Sequence, residues 1–154
     1  MRRPNDLPST AALLGARPNL QAARHDDPLP GSVDPRSGYL ARIAVRSLNR
    51  IVIVQVSDIV RLEAEDNYVR IWADRPYLHK ETLTRLTGRL DPATFLRVHR
   101  SHTVNIRMVR ELRPQLHGEY VLVLHDGTEI TSGRSFRGRI QQAFGLGRAG
   151  AEEP

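Results

Sequence analysis

The sequence predicts a mostly β fold, an arrangement of small antiparallel sheets with two short helices. Three observations carry this expectation. Apolar and polar side chains alternate in short runs at regular spacing from Tyr39 onward. The links between runs are too short for parallel crossovers, which leaves hairpins. Asp126-Gly127, set between two such runs, is the strongest hairpin signal in the chain.

Residues 1–38 are a different material. Six of the ten prolines fall there, with Gly15, Gly31 and Gly38 and without an aromatic residue. Such a segment buries too little to offset the entropy of ordering it, so 1–38 is expected to be a disordered arm or linker, with a short helix conceivable over 11–14. Residues 39–147 hold the domain and 148–154 a short polar tail.

Within the domain, Ile43 and Val45 alternate with Arg42, Ala44 and Arg46 as a half-buried strand, followed by a tight turn at Leu48-Asn49-Arg50. Residues 51–56 form a second strand, apolar enough to be covered on both faces. Ser57-Asp58 begins a short turn with Asp58 as a cap. Strands over 59–64 and 68–73 flank a tip at Glu65-Asp66-Asn67, where Asn67 suits a left-handed backbone. Pro76 marks a turn before a strand over 77–80. Leu83, Leu86 and Leu90 place a helix over 82–90, with Glu81 and Thr82 at its start and Gly88 weakening its end. Residues 104–112, 119–125 and 128–131 are strands, with a loop over 114–118. A last helix over 135–144 buries Ile140 and Phe144 and stops at Gly145.

The chain carries a net charge of +6, and Lys80 is the only lysine among 23 basic residues. Arginine's planar fork reads guanine and phosphate in two-point contacts. A genome rich in arginine codons is the bland source of that bias, so distribution matters more. The run 95–108 holds Arg97, Arg100, Arg107, His99, His102, Ser101, Thr103 and Asn105 without an acid, on a frame of Phe95, Leu96, Val98, Val104, Ile106 and Met108. Residues 134–150 add Arg134, Arg137, Arg139 and Arg148, again without an acid. Polarised charge of this kind suits a polyanion.

Other chemistries find less support. The absence of cysteine removes disulfides, Cys-ligated zinc and thiol catalysis. No apolar run reaches the roughly 20 residues that span a bilayer, and the N-terminus lacks a signal-like apolar segment, so a cytoplasmic protein is expected. His99 and His102, on a strand, are expected on opposite faces with no carboxylate close by, which argues against a metal. Ser101 beside His102 lacks a nucleophile elbow, so no enzyme and no cofactor are expected. Glu63, Glu65 and Asp66 are expected to be a hairpin tip with Glu63 paired to an arginine, and Trp72 to lie in the core.

Asp58-Ile59-Val60-Arg61-Leu62-Glu63-Ala64 with Asn67-Tyr68-Val69, then Thr82-Leu83 with Leu86, Phe95 to Ser101, Val104-Asn105, and Asp126-Gly127 with Ile130 to Phe136 follow one another along the chain. Together these segments resemble the LytTR-type DNA-binding domain of LytR/AlgR response regulators. The resemblance runs in order from about Ile43 to Phe144. It implies an elongated fold whose loops, in place of a recognition helix, enter two successive major grooves of double-stranded DNA. By position, Asn67 or Tyr68, Arg100 and Arg134 would read bases. His99, Ser101, Asn105 and Ser135 would support or contact the backbone, and Lys80, Arg97, Arg137 and Ser101 are expected to hold phosphates. A homodimer on repeated half-sites, acting in transcription regulation, is the implied assembly. Residues 1–38 hold no strand followed by an acidic pocket, so a receiver is not expected in this chain. His102 stands where the family has an aromatic. Gly133 replaces the usual serine, which is expected to loosen the Arg134 loop. The alternative is an RNA- or protein-interaction β module that binds an acidic partner.

Overall fold

The structure is a computed structural model and describes residues 32–146. Ten strands form three antiparallel sheets among these residues. β1 (Arg42–Ser47) and β2 (Arg50–Gln55) make a two-stranded hairpin. β3 (Arg61–Glu65), β4 (Tyr68–Trp72), β5 (Pro76–Lys80), β6 (Phe95–His99) and β7 (His102–Asn105) make a sheet in the order β5-β4-β3-β7-β6. β8 (Val109–Pro114), β9 (Tyr120–Leu124) and β10 (Glu129–Thr131) make the third, with β9 in the middle. The helices are α1 (Leu83–Gly88) and α2 (Arg137–Ala143).

The five-stranded sheet lies between two cores, because successive strand residues point to opposite faces. Phe95 joins Ile43, Val45, Val54, Leu62, Val69 and Ile71 together with Leu83, Leu86 and Leu90 around α1. The next residue, Leu96, joins Val98, Val104, Leu122, Leu124, Ile130 and Ile140, under α2 and the third sheet. Fully buried aliphatic side chains such as Leu62 and Leu122 each contribute about 1.5–3 kcal/mol relative to exposure. Local signals agree with these elements. The Thr82 hydroxyl accepts from the Arg85 N–H and caps α1. Gly127 (φ 91°) and Gly145 (φ 71°) supply the left-handed backbone that ends the β9 turn and α2.

Several expectations are corrected. β2 is not covered on both faces: Ile51 and Ile53 are each 51% exposed. The basic run is itself a hairpin, β6 and β7, so 104–112 is no single strand. A 3-10 turn at Ile106–Met108 breaks it, capped where the Asn105 side chain accepts from the Arg107 N–H. At the β3–β4 tip Asp66, not Asn67, takes the left-handed conformation (φ 58°). Trp72 is half-buried with the Arg61 guanidinium 4.4 Å from its ring, outside both cores. The last helix starts at Arg137, after a 3-10 turn at Arg134–Phe136. Residues 32–38, assigned to the arm, fold back on the domain. Val33 bridges Leu40, and the Asp34 N–H donates to the Tyr39 carbonyl at 2.8 Å. The remaining arm, with its conceivable helix over 11–14, and the tail lie outside the described residues.

Candidate nucleic-acid interface

Register assembles the site. β3 pairs with β7 so that Glu63 faces His102, and the Ala64 N–H donates to the Ser101 carbonyl at 2.8 Å. The β3–β4 tip and the β6–β7 turn therefore share one end of the sheet. Tyr68 faces Lys80 across β4 and β5, which brings Lys80 to the same end. On the far side the Gly133 N–H donates to the Val98 carbonyl at 2.9 Å, so Arg134 follows directly beside β6. Lys80, Tyr68, Asn67, Arg100, Ser101 and Arg134 thus form a row along a single sheet edge.

Within that row Asn67, Tyr68, Lys80, Arg100 and Arg134 are exposed, as are Ser135 and Arg137 just beyond it. The side chains of Arg100, Arg134, Arg137 and Lys80 have no hydrogen-bond or ion-pair partner among the described residues. At strand spacings of about 4.8 Å, the row from β4 to the Gly133 segment covers on the order of 20 Å of backbone, before arginine side chains extend it. Lys80 and Tyr68 also line an open groove of about 440 Å³ with Ala44, Arg46, Leu78 and His79.

Arg97 is oriented otherwise. Its Nε donates to the His99 carbonyl at 2.9 Å, its Nη1 to Thr84 Oγ1 at 3.3 Å and its Nη2 to the Arg100 carbonyl. Its charge braces the turn that carries Arg100. Burial, together with the nearby Arg139, holds its pKa below the ordinary arginine value. His99 completes the brace, its Nδ1 accepting from the Ser101 N–H at 3.0 Å. The bond comes from the Ser101 backbone and not from its hydroxyl.

Asn105, expected to support or contact the backbone, is placed to support. It is 2% exposed, and its Nδ2 donates to the Ile59 carbonyl at 2.8 Å, so it ties β7 to the start of β3 from inside. The histidine expectation is corrected. His99 and His102 face each other across a bulge in the β6–β7 ladder, ring centroids 5.5 Å apart. Burial, opposed by Glu63 and helped by His99 and Arg61, pushes the His102 pKa down. No group of three or more metal-ligating side chains lies among the described residues. Two of the three hairpin-tip carboxylates are paired, Glu65 with Arg70 at 2.6 Å and Glu63 with Arg61 at 3.5 Å, while Asp66 stays exposed. Gly133 is tied at both backbone groups, since the Phe136 N–H donates to its carbonyl at 3.0 Å, so the Arg134 segment is fastened where looseness was expected.

Two contributors were given no role from the sequence. Arg139 lies over the Phe136 ring at 5.4 Å and within electrostatic reach of Arg97. Its signal was the three-residue helical spacing from Phe136. The loop after β8 also reaches the edge. A Cβ on Gly118 (φ 97°) would lie 3.8 Å from Arg137 Cδ and 4.0 Å from Arg134 Cγ.

Comparison with known proteins agrees with this geometry. Residues 49–145 match the family model described as the LytTr DNA-binding domain. The sensory transduction protein LytT of Bacillus subtilis is 30% identical over 102 residues, covering 66% of this chain and 42% of LytT. The heme-containing CO-sensing transcriptional regulator RcoM 1 of Paraburkholderia xenovorans is 34% identical over 119 residues, covering 75% of this chain and 44% of the relative. The chain therefore spans less than half the length of these relatives. A solved LytTr DNA-binding domain from Bacillus cereus superposes with a TM-score of 0.63 at 23% identity, covering 68% of this chain and 97% of that one, which shows a shared fold. The chain belongs to the LytTR family of DNA-binding domains.

Proposed function

We propose that this chain binds double-stranded DNA sequence-specifically through the sheet edge from Lys80 to Arg134, as the output half of a transcriptional regulator. The observation that carries the reading is the row of unpartnered cations on one ordered edge, at the ends of strands anchored in the cores. Arg100 and Arg134 read base edges with Asn67 or Tyr68, while Lys80, Ser101, Ser135 and Arg137 hold phosphates. Asp66, the exposed acid at the tip, suits a cytosine amine and is unsuited to a phosphate. Arg97 and His99 keep the Arg100 turn in shape. Loops enter successive major grooves, and two copies occupy repeated half-sites. The protein acts in the cytoplasm, by binding and without turnover, in a response-regulator-type pathway.

Selection from a random duplex pool with the 154-residue chain, at two salt concentrations, tests the reading. Enrichment of a repeated motif is the expected result. Failure to enrich, or a preference for single strands or RNA, would overturn it.

A further inference from the structure

β2 is the outer strand of its two-stranded sheet, and no strand pairs with its far edge among the described residues. The ladder fixes which backbone groups face that edge. The Val56 N–H donates to the Ala41 carbonyl at 2.9 Å, and the register continues from Arg42–Gln55 to Ser47–Arg50. Antiparallel ladders alternate bonded and non-bonded pairs, so Val54, Val52 and Arg50 bond to β1. The N–H and C=O groups of Ile51, Ile53 and Gln55 therefore point outward. The side chains of the same three residues lie on the solvent-exposed face. An apolar edge of this length without an inward-pointing charge is a template for another strand.

Charge identifies the strand that fits. Arg50 opens β2, and Asp58 ends the 3-10 turn Val56–Asp58 beyond its other end. Both are exposed, and neither side chain has a partner among the described residues. We propose that β2 pairs antiparallel with β2 of a second copy about a two-fold axis at Ile53. Ile53 then faces Ile53 of the partner subunit, and Ile51 faces Gln55 of the partner subunit. Each of these pairs exchanges both backbone hydrogen bonds, as the outward groups require. Arg50 of each copy points toward Asp58 of the other, so one surface is complementary to itself, the condition for a closed two-fold contact. Between those ends no like charges stand opposite one another. The β1 arginines Arg42 and Arg46 lie one strand farther back, roughly 14 Å from the corresponding strand of the other copy, beyond the Debye length of about 8 Å.

This contact deepens the half-site reading proposed above, and it is tested without DNA so that the two fail separately. Sedimentation equilibrium of the 154-residue chain at physiological salt, about 0.15 M, is run on the unaltered protein and on Arg50→Glu, Asp58→Arg and Ile53→Lys variants. All three positions are exposed, and far-UV circular dichroism checks that each variant is folded. The expected result is a reversible monomer–dimer equilibrium that each variant weakens about tenfold or more. An equimolar mixture of the Arg50→Glu and Asp58→Arg chains recovers the original affinity, because opposite charges then meet at both ends. A chain that stays monomeric at every concentration overturns the proposal. So does a dimer that none of the variants weakens, or a mixture that fails to recover.

Discussion

Replacing Arg97 with alanine separates bracing from phosphate contact. The Arg97 guanidinium donates to two backbone carbonyls of the β6–β7 turn and to Thr84 on α1. Hydrogen bonds from a charged donor are worth about 1.5–3 kcal/mol each, but partial exposure discounts them, so about 1–3 kcal/mol is expected in total. In a domain of this size that lowers Tm by about 5–15 °C. A residue that holds a phosphate contributes about 0.9 to the slope of log K against log salt. A residue that holds a turn contributes nothing to it. Arg97→Ala should therefore lower Tm and weaken binding to a selected duplex roughly tenfold, through a less firmly held Arg100, with an unchanged salt slope. Arg97→Lys should behave similarly, since a point charge cannot reproduce the fork. Thermal unfolding and fluorescence anisotropy over a salt series read both quantities. A slope reduced by about one with an unchanged Tm would make Arg97 a phosphate ligand and refute the bracing role.

Asn105→Ala strands the buried Ile59 carbonyl and uncaps the turn after β7, for an expected loss of about 2–4 kcal/mol in urea unfolding. The folded protein should keep its sequence preference, and an altered preference at unchanged stability would mean that Asn105 reaches DNA. Glu81 joins the end of β5 to α1, with Arg89 at 2.7 Å and His79 at 2.9 Å. Burial pushes its pKa up, but His79 and Arg89 together outweigh burial and hold it below the usual value. A depressed carboxyl stabilises the fold fully above its unfolded pKa of about 4.3 and loses that stabilisation as pH falls through the folded value. Glu81→Gln should cost up to about 3 kcal/mol at neutral pH and flatten the acid limb of stability; a variant as acid-sensitive as the original chain would contradict this. Gly133→Ser, the residue usual in the family, places a Cβ 3.2 Å from Phe136 Cδ2 on a backbone that any residue adopts (φ −80°). A loss of about 1 kcal/mol is expected in thermal unfolding, and a gain would show that Phe136 yields without strain.

The strands and α1 were legible because alternation and leucine spacing are local signals. Leu83, Leu86 and Leu90 all point inward as their spacing requires. The failures have physical reasons. Residues 51–56 carry the pattern of a buried strand, yet β2 lies at an edge, and whether a neighbour covers it is not a local property. The break at Ile106–Met108 depends on where the Asn105 side chain finds a partner, in Arg107 and in Ile59 far back along the chain. At the site, sequence marked the cations but not their orientation. Arg97 and Arg100 are three residues apart with the same chemistry, and only the conformation of the β6–β7 turn, with Thr84 on α1 beside it, turns the first inward and leaves the second free. Arg139 was overlooked because its place beside Arg97 arises from the packing of α2 on β6.

Base reading by this sheet edge, as proposed, turns on Arg100. Affinity of Arg100→Ala for a selected duplex, and for every single-base-pair variant of that duplex, tests it most directly. A loss of about 1–3 kcal/mol is predicted, with discrimination relaxed at one position of each half-site and retained elsewhere. Unchanged affinity with an unchanged pattern of discrimination would mean that Arg100 reads no base.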